Sequence, residues 1–135
     1  MDASEVPLLV LGRFRVSDDE AASFASDARA AIAVLAQRDG FIDAALGQSV
    51  DDAGLRTIVT RWTNVGAYRR ALSNPEVKMT AIPFLSLAID EPSAFEVVHA
   101  RTPDGAVDAV SGLAADAGLI GLGFAAAPSV PPVTT

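Results

Sequence analysis

Residues 55–72 read LRTIVTRWTNVGAYRRAL, and the alternation of apolar and polar side chains along them decides what fold the chain can adopt. From Leu55 to Trp62 an extended strand sends successive side chains to opposite faces. Leu55, Thr57, Val59 and Arg61 share one face, and Arg56, Ile58, Thr60 and Trp62 share the other. Both faces carry apolar residues, so both need cover. After Trp62 the period lengthens. Thr63 or Asn64 is the expected N-cap, and Ala67, Tyr68, Ala71 and Leu72 fall on one helical stripe. The single Trp and single Tyr of the chain, Trp62 and Tyr68, then stand at a strand end and on the following helix, where both can line one crevice.

Upstream, residues 6–16 (VPLLVLGRFRV) predict a central strand, with Leu8, Val10, Gly12 and Phe14 on one face and Leu9, Leu11, Arg13 and Arg15 on the other. Residues 17–39 predict a long helix. Ser17 with Glu20 matches a capping box, Asp18 and Asp19 suit the positive helix start, and Arg38 precedes Gly40 at the negative end. Phe24, Ala28, Ala31, Ile32 and Leu35 form its buried stripe. Residues 41–50 and 55–62 predict a hairpin around Asp51, Asp52, Ala53 and Gly54, with positive φ expected at Gly54. Asn74 followed by Pro75 starts a further helix that carries Val77, Ala81, Phe84 and Leu85 and that Pro83 bends or ends. Residues 94–100 predict the last strand.

Strand, helix, strand, strand, helix, strand is the ferredoxin-like order of an α+β domain, and its helices cover one sheet face. The other face exposes Leu, Val and Phe side chains, a patch that monomers avoid. A homodimer pairing two such sheets face to face, a dimeric α/β barrel, removes it.

Composition narrows the function classes. The 135 residues suit one domain, half hydrophobic and a fifth charged. A formal charge of -7 opposes nucleic-acid binding, which needs a basic surface. No cysteine is present, so no disulfide frame, thiol nucleophile or zinc ribbon is expected, and the chain fits a reducing cytoplasm. Neither a secretion signal nor a membrane span is visible. The acids Asp18, Asp19 and Glu20 read as helix capping rather than a metal site, and no Gly-rich cofactor fingerprint follows a strand.

The runs GRFRV, GFIDAALGQSVDD, LRTIVTRWTNVGAYRRALSNPEVK and DEPSAFEVV resemble the antibiotic biosynthesis monooxygenase (ABM) family of dimeric α/β barrels, in particular its small actinobacterial members. The resemblance covers residues 8–99. It implies an oxygenase that uses no cofactor and oxidises a phenolic, quinol or similar aromatic small molecule with O2. In the polyketide-tailoring oxygenases of that family a Trp ends the third strand and a Tyr follows six residues later, which Trp62 and Tyr68 match as the implied catalytic pair. The family's Asn four residues before the Trp is replaced by Ile58, and its Arg in the following helix by Ala81 or Ile82. The haem-degrading branch requires a His in that helix and an Asn on the first strand, and the single His of this chain is His99. Arg13, Ile58 and Arg61 are the candidate substrate-binding residues, with Arg13 or Arg61 expected to steady a substrate anion. The competing expectation is a non-catalytic dimeric binding or assembly protein whose pocket is filled by Ile58 and Ile82. An enzyme predicts a pocket of roughly 300 Å³ or more beside Trp62 and Tyr68.

Residues 1–5 are an N-terminal tail, 6–101 the domain, and 102–135 an Ala/Gly/Pro-rich tail without a cation. Residues 106–117 are the candidate helix within that tail. The apolar GLIGLGF at 118–124 is the candidate contact with this barrel, with the partner subunit, or with a further protein that the tail docks to.

Overall fold

The computed structural model describes residues 6–110. Its elements run β1 (Leu8–Arg15), a 3-10 turn (Asp18–Glu20), α1 (Ala21–Leu35), β2 (Phe41–Gln48), β3 (Leu55–Trp62), α2 (Val65–Ser73), α3 (Pro75–Thr80), α4 (Ile82–Leu85), β4 (Ala94–Glu96), β5 (His99–Thr102) and β6 (Gly105–Asp108). The four-stranded sheet has the order β2-β3-β1-β4 with every neighbouring pair antiparallel. This is the expected α+β, ferredoxin-like arrangement, with the helices packed on one side.

Register fixes which side chains face the helices. Leu8 pairs with Trp62, Val10 with Thr60 and Gly12 with Ile58, and residues directly opposite each other project to the same side. Leu8, Phe14, Val16, Ile58 and Trp62 are accordingly buried with Phe24, Ala28, Ala31 and Leu35 of α1. Ala28 and Ala31 have no exposed surface, and their methyl groups let α1 lie close against its neighbours. Phe14, Phe24 and Phe84 from β1, α1 and α4 form a trio with ring centroids 5.2–5.3 Å apart, tying the sheet to both helical segments.

The helix expected over 17–39 is shorter at both ends. The Glu20 carboxylate accepts from the Ser17 backbone N–H at 3.4 Å and from its hydroxyl at 2.8 Å. These bonds hold a 3-10 turn before α1 starts. The bend foreseen at Pro83 separates α3 from α4.

Three local expectations are corrected. The glycines with positive φ among the described residues are Gly40 and Gly105, not Gly54. Gly54 instead permits a close approach, since a Cβ there would stand 3.2 Å from the Val16 carbonyl oxygen. The last predicted strand stops at Glu96 and resumes as β5, which leaves the sheet and pairs with β6. That hairpin occupies 105–108, where a helix was expected to begin, and residues 111–117 of that helix and the run at 118–124 lie outside the described residues. No helix among the described residues is long and apolar enough to cross a membrane.

Candidate functional site

The change from strand to helix at residues 62–65 builds the site. Trp62 closes β3 on the helix side and is fully buried. Its indole N–H donates to Thr60 Oγ at 2.8 Å, which satisfies a polar atom that would be costly to bury alone. Asn64 then caps α2, its Oδ1 accepting from the Ala67 N–H at 2.8 Å. With the helix start fixed in this way, Tyr68 packs on the indole with ring centroids 5.5 Å apart. Phe41 meets the other side of Trp62 edge-on at 5.4 Å.

Tyr68 lines a cleft of about 120 Å³ between the sheet and the helices. Val10, Gly12 and Ile58 form its sheet wall, Leu85 and Ala88 come from the α4 side, and Thr60, Tyr68 and Ser93 bring hydroxyls. No hydrogen bond holds the Tyr68 hydroxyl among the described residues. Burial raises the Tyr68 pKa above the ordinary phenol value, so near neutrality the side chain is a neutral donor.

The sequence candidates divide between the two sheet faces. Trp62 and Tyr68 are brought together, and Ile58, 3% exposed, lies in the cleft wall. Arg13 and Arg61 stand on the opposite face, in register with Thr57 and Leu9, and do not join the cleft. Arg13 holds Glu91 through two hydrogen bonds of 2.7 and 2.8 Å, and Arg61 holds Asp43 through two of 2.8 and 2.6 Å. Each pairing lowers the carboxyl pKa, chiefly through the guanidinium hydrogen bonds. These arginines therefore bind acids of their own chain, and the polar groups that line the cleft are hydroxyls. Ala81 is fully buried in the core, and Ile82 is packed against it. His99 lies in the β5–β6 hairpin against Asp108 at 2.6 Å, away from the cleft lining.

Thr60 is the residue that sequence reading missed. Its signal was present: a hydroxyl on the same strand face as Trp62, two residues before it, in a chain whose indole needed an acceptor. With its acceptor role taken by Trp62, its own O–H is the group still able to donate. Among the described residues no three His, Cys, Asp or Glu side chains gather to hold a metal ion.

An apolar cleft with two or three hydroxyl donors and an indole behind it suits a small aromatic molecule bearing an oxygen. SnoaB, a cofactor-independent oxygenase from Streptomyces nogalater, aligns with a TM-score of 0.60 at 26% identity, over 72% of this chain and 96% of that one. A conserved protein from Methanosarcina mazei aligns at 0.58 and 18% identity, over 70% and 95% of the two chains. Rv0793 from Mycobacterium tuberculosis aligns at 0.56 and 17%, over 72% and 98%. The last two speak to the fold alone. No curated protein matches the chain. Residues 7–81 match the family described as antibiotic biosynthesis monooxygenase, a span from the start of β1 into the α3–α4 junction that contains the Trp62 strand and the Tyr68 helix. The chain belongs to the antibiotic biosynthesis monooxygenase family.

Proposed function

We propose that the protein is a cofactor-independent monooxygenase acting on a single-ring phenol or quinol. The observation that carries this reading is the cleft itself, about 120 Å³, apolar on its walls and furnished with the Tyr68 and Thr60 hydroxyls. That volume falls short of the roughly 300 Å³ expected above of an enzyme's pocket and of the about 150 Å³ cavity that holds one benzene ring, so it limits the substrate to one ring at most. The likeness to SnoaB supports the chemistry.

In this reading the substrate binds as its phenolate. The anion gives electrons to O2, a carbon–oxygen bond forms at a ring carbon that bears hydrogen, para to the phenolic oxygen in a phenol and ortho to it in a para-quinol, and the resulting peroxide loses water. One atom of O2 becomes a new quinone oxygen and the other leaves as water with the ring hydrogen, lost as a proton, and one proton from solvent in place of the phenolic proton released on binding. Tyr68 donates a hydrogen bond to the developing oxyanion, and the apolar walls keep bulk water from it.

A second reading, a dimeric binding protein without turnover, is favoured by one feature. The cleft is smaller than the roughly 300 Å³ typical of ligand sites. Oxygen uptake separates the two. Wild type, Trp62→Phe and Tyr68→Phe are measured with one-ring and two-ring phenols and quinols. The enzyme reading expects uptake above autoxidation with one-ring substrates and a loss of about tenfold or more in kcat on removing the Tyr68 hydroxyl. Uptake equal to autoxidation throughout, or equal rates for all three proteins, rejects it.

The same proposal includes a homodimer through the open sheet face. Leu9, Leu11, Val59 and Phe95 project there by register, with Phe95 47% exposed, and a face of that kind calls for an apolar cover.

A further inference from the structure

A second concavity, of about 470 Å³, lies where the end of α1 meets α2 and is separate from the aromatic cleft. Arg38, Arg69 and Arg70 all line it, with Asp39 as the one acid in the lining. Three of the ten cations of a chain carrying a net charge of -7 thus converge on one groove.

Arg38 and Arg70 differ from the arginines of the sheet. Arg13, Arg15 and Arg61 each hold a carboxylate, whereas Arg38 and Arg70 form no ion pair among the described residues. The Arg38 Nε is buried and has no hydrogen-bond partner, a costly condition for a charged donor. Of the remaining polar lining, Ser73 donates its hydroxyl to the Arg69 carbonyl, and Asn74 keeps a donor. Asn74 spends its Oδ1 on the Glu76 and Val77 N–H groups, which leaves its NH2. Arg70 lies in the last turn of α2 and Arg38 just past α1, so each complements a negative helix end. That accounts for a basic residue at each position. It does not account for a groove shared between them or for the buried Nε.

We propose that this groove is an oxyanion-binding site for a small dianion, whose phosphate or carboxylate groups engage Arg38 and Arg70. Guanidinium forks match both groups in geometry, and the volume lies in the range of small-ligand sites. The site is independent of any oxygenase activity.

Calorimetric titration of the full chain at low ionic strength tests it, with inorganic phosphate, succinate and chloride as ligands. The expectation is saturable binding of phosphate or succinate at millimolar concentration or below, with chloride much weaker. Arg38→Gln and Arg70→Gln should each weaken it by about tenfold, while Arg29→Gln, on an exposed arginine elsewhere, leaves it unchanged. Tighter binding of phosphate assigns a phosphate ester, and tighter binding of succinate a dicarboxylate. Absence of saturable binding by either, equal competition by chloride, or wild-type affinity in both groove variants overturns the proposal. Arg70 is exposed, so Arg70→Gln remains informative even where Arg38→Gln disturbs folding.

Discussion

At the scale of single residues, the proposed chemistry of the cleft rests on Tyr68 staying protonated. Its folded pKa is raised by burial, so the folded state holds the phenolic proton more tightly than the unfolded chain does. The associated stability is intact below the unfolded value of about 10 and declines as pH rises from there through the folded pKa. Urea midpoints measured from pH 8 to 11 should therefore fall more steeply for wild type than for Tyr68→Phe, and parallel curves would contradict this. Gly40 makes a second point of the same kind. Its φ is +91° and an added Cβ would meet the Ala67 Cβ at 2.4 Å, so Gly40→Ala combines backbone strain with a clash against the wall of α2. A loss of about 3 kcal/mol is expected, read from denaturant unfolding, and a change below about 1 kcal/mol would show that the corner yields. The pairing of Trp62 with Tyr68 was legible because a strand end and the first turns of the next helix are fixed by short-range geometry. The burial of Gly40 against Ala67 was not legible, because the contact joins residues 27 positions apart (67 minus 40) through the fold.

Among elements, the phenylalanine trio decides how the helical layer is held. Phe84 lies on α4, a four-residue helix too short to persist on its own propensity, and its ring meets Phe14 and Phe24. Phe84→Ala should cost about 3–5 kcal/mol and, because Leu85 is the next residue and lines the cleft, should also reduce aromatic-ligand binding. A stability loss without any change in binding would separate α4 from the cleft. Strands β1 and β3 were legible from alternation, since each is buried on the helix side and half-buried on the other. The end of β4 was not. Residues 94–100 keep the composition of a strand, but after Glu96 the chain turns away and His99–Thr102 pairs locally with Gly105–Asp108. Alternation describes a strand equally well whichever partner it finds. The arginines failed for a related reason. Period-two reading grouped Arg13 with Leu9 and Leu11 and Arg61 with Val59, yet nothing in the sequence says that these groups face away from the cleft or that Glu91 and Asp43 would occupy the arginines.

For the molecule as a whole, the open face is where sequence, fold and assembly meet. Leu11 pairs with Val59 at its centre, and the ion pairs Arg61–Asp43 and Arg13–Glu91 are set around that apolar strip. Exposed ion pairs contribute little to folding, but one toward each end of an apolar strip favours one register of a symmetric contact over others. Val59→Glu puts a charge at the middle of that strip, and in the proposed face-to-face dimer the two-fold symmetry would bring the two copies of that charge near each other. Sedimentation equilibrium at micromolar concentration should give a mass twice that of the 135-residue chain for wild type and a single-chain mass for Val59→Glu, with the helix content of the protomer unchanged by circular dichroism. A wild-type protein that sediments as one chain, with Leu11 and Val59 left in contact with water, removes the dimer. It leaves the cleft proposal standing, because every residue named in the cleft belongs to one protomer.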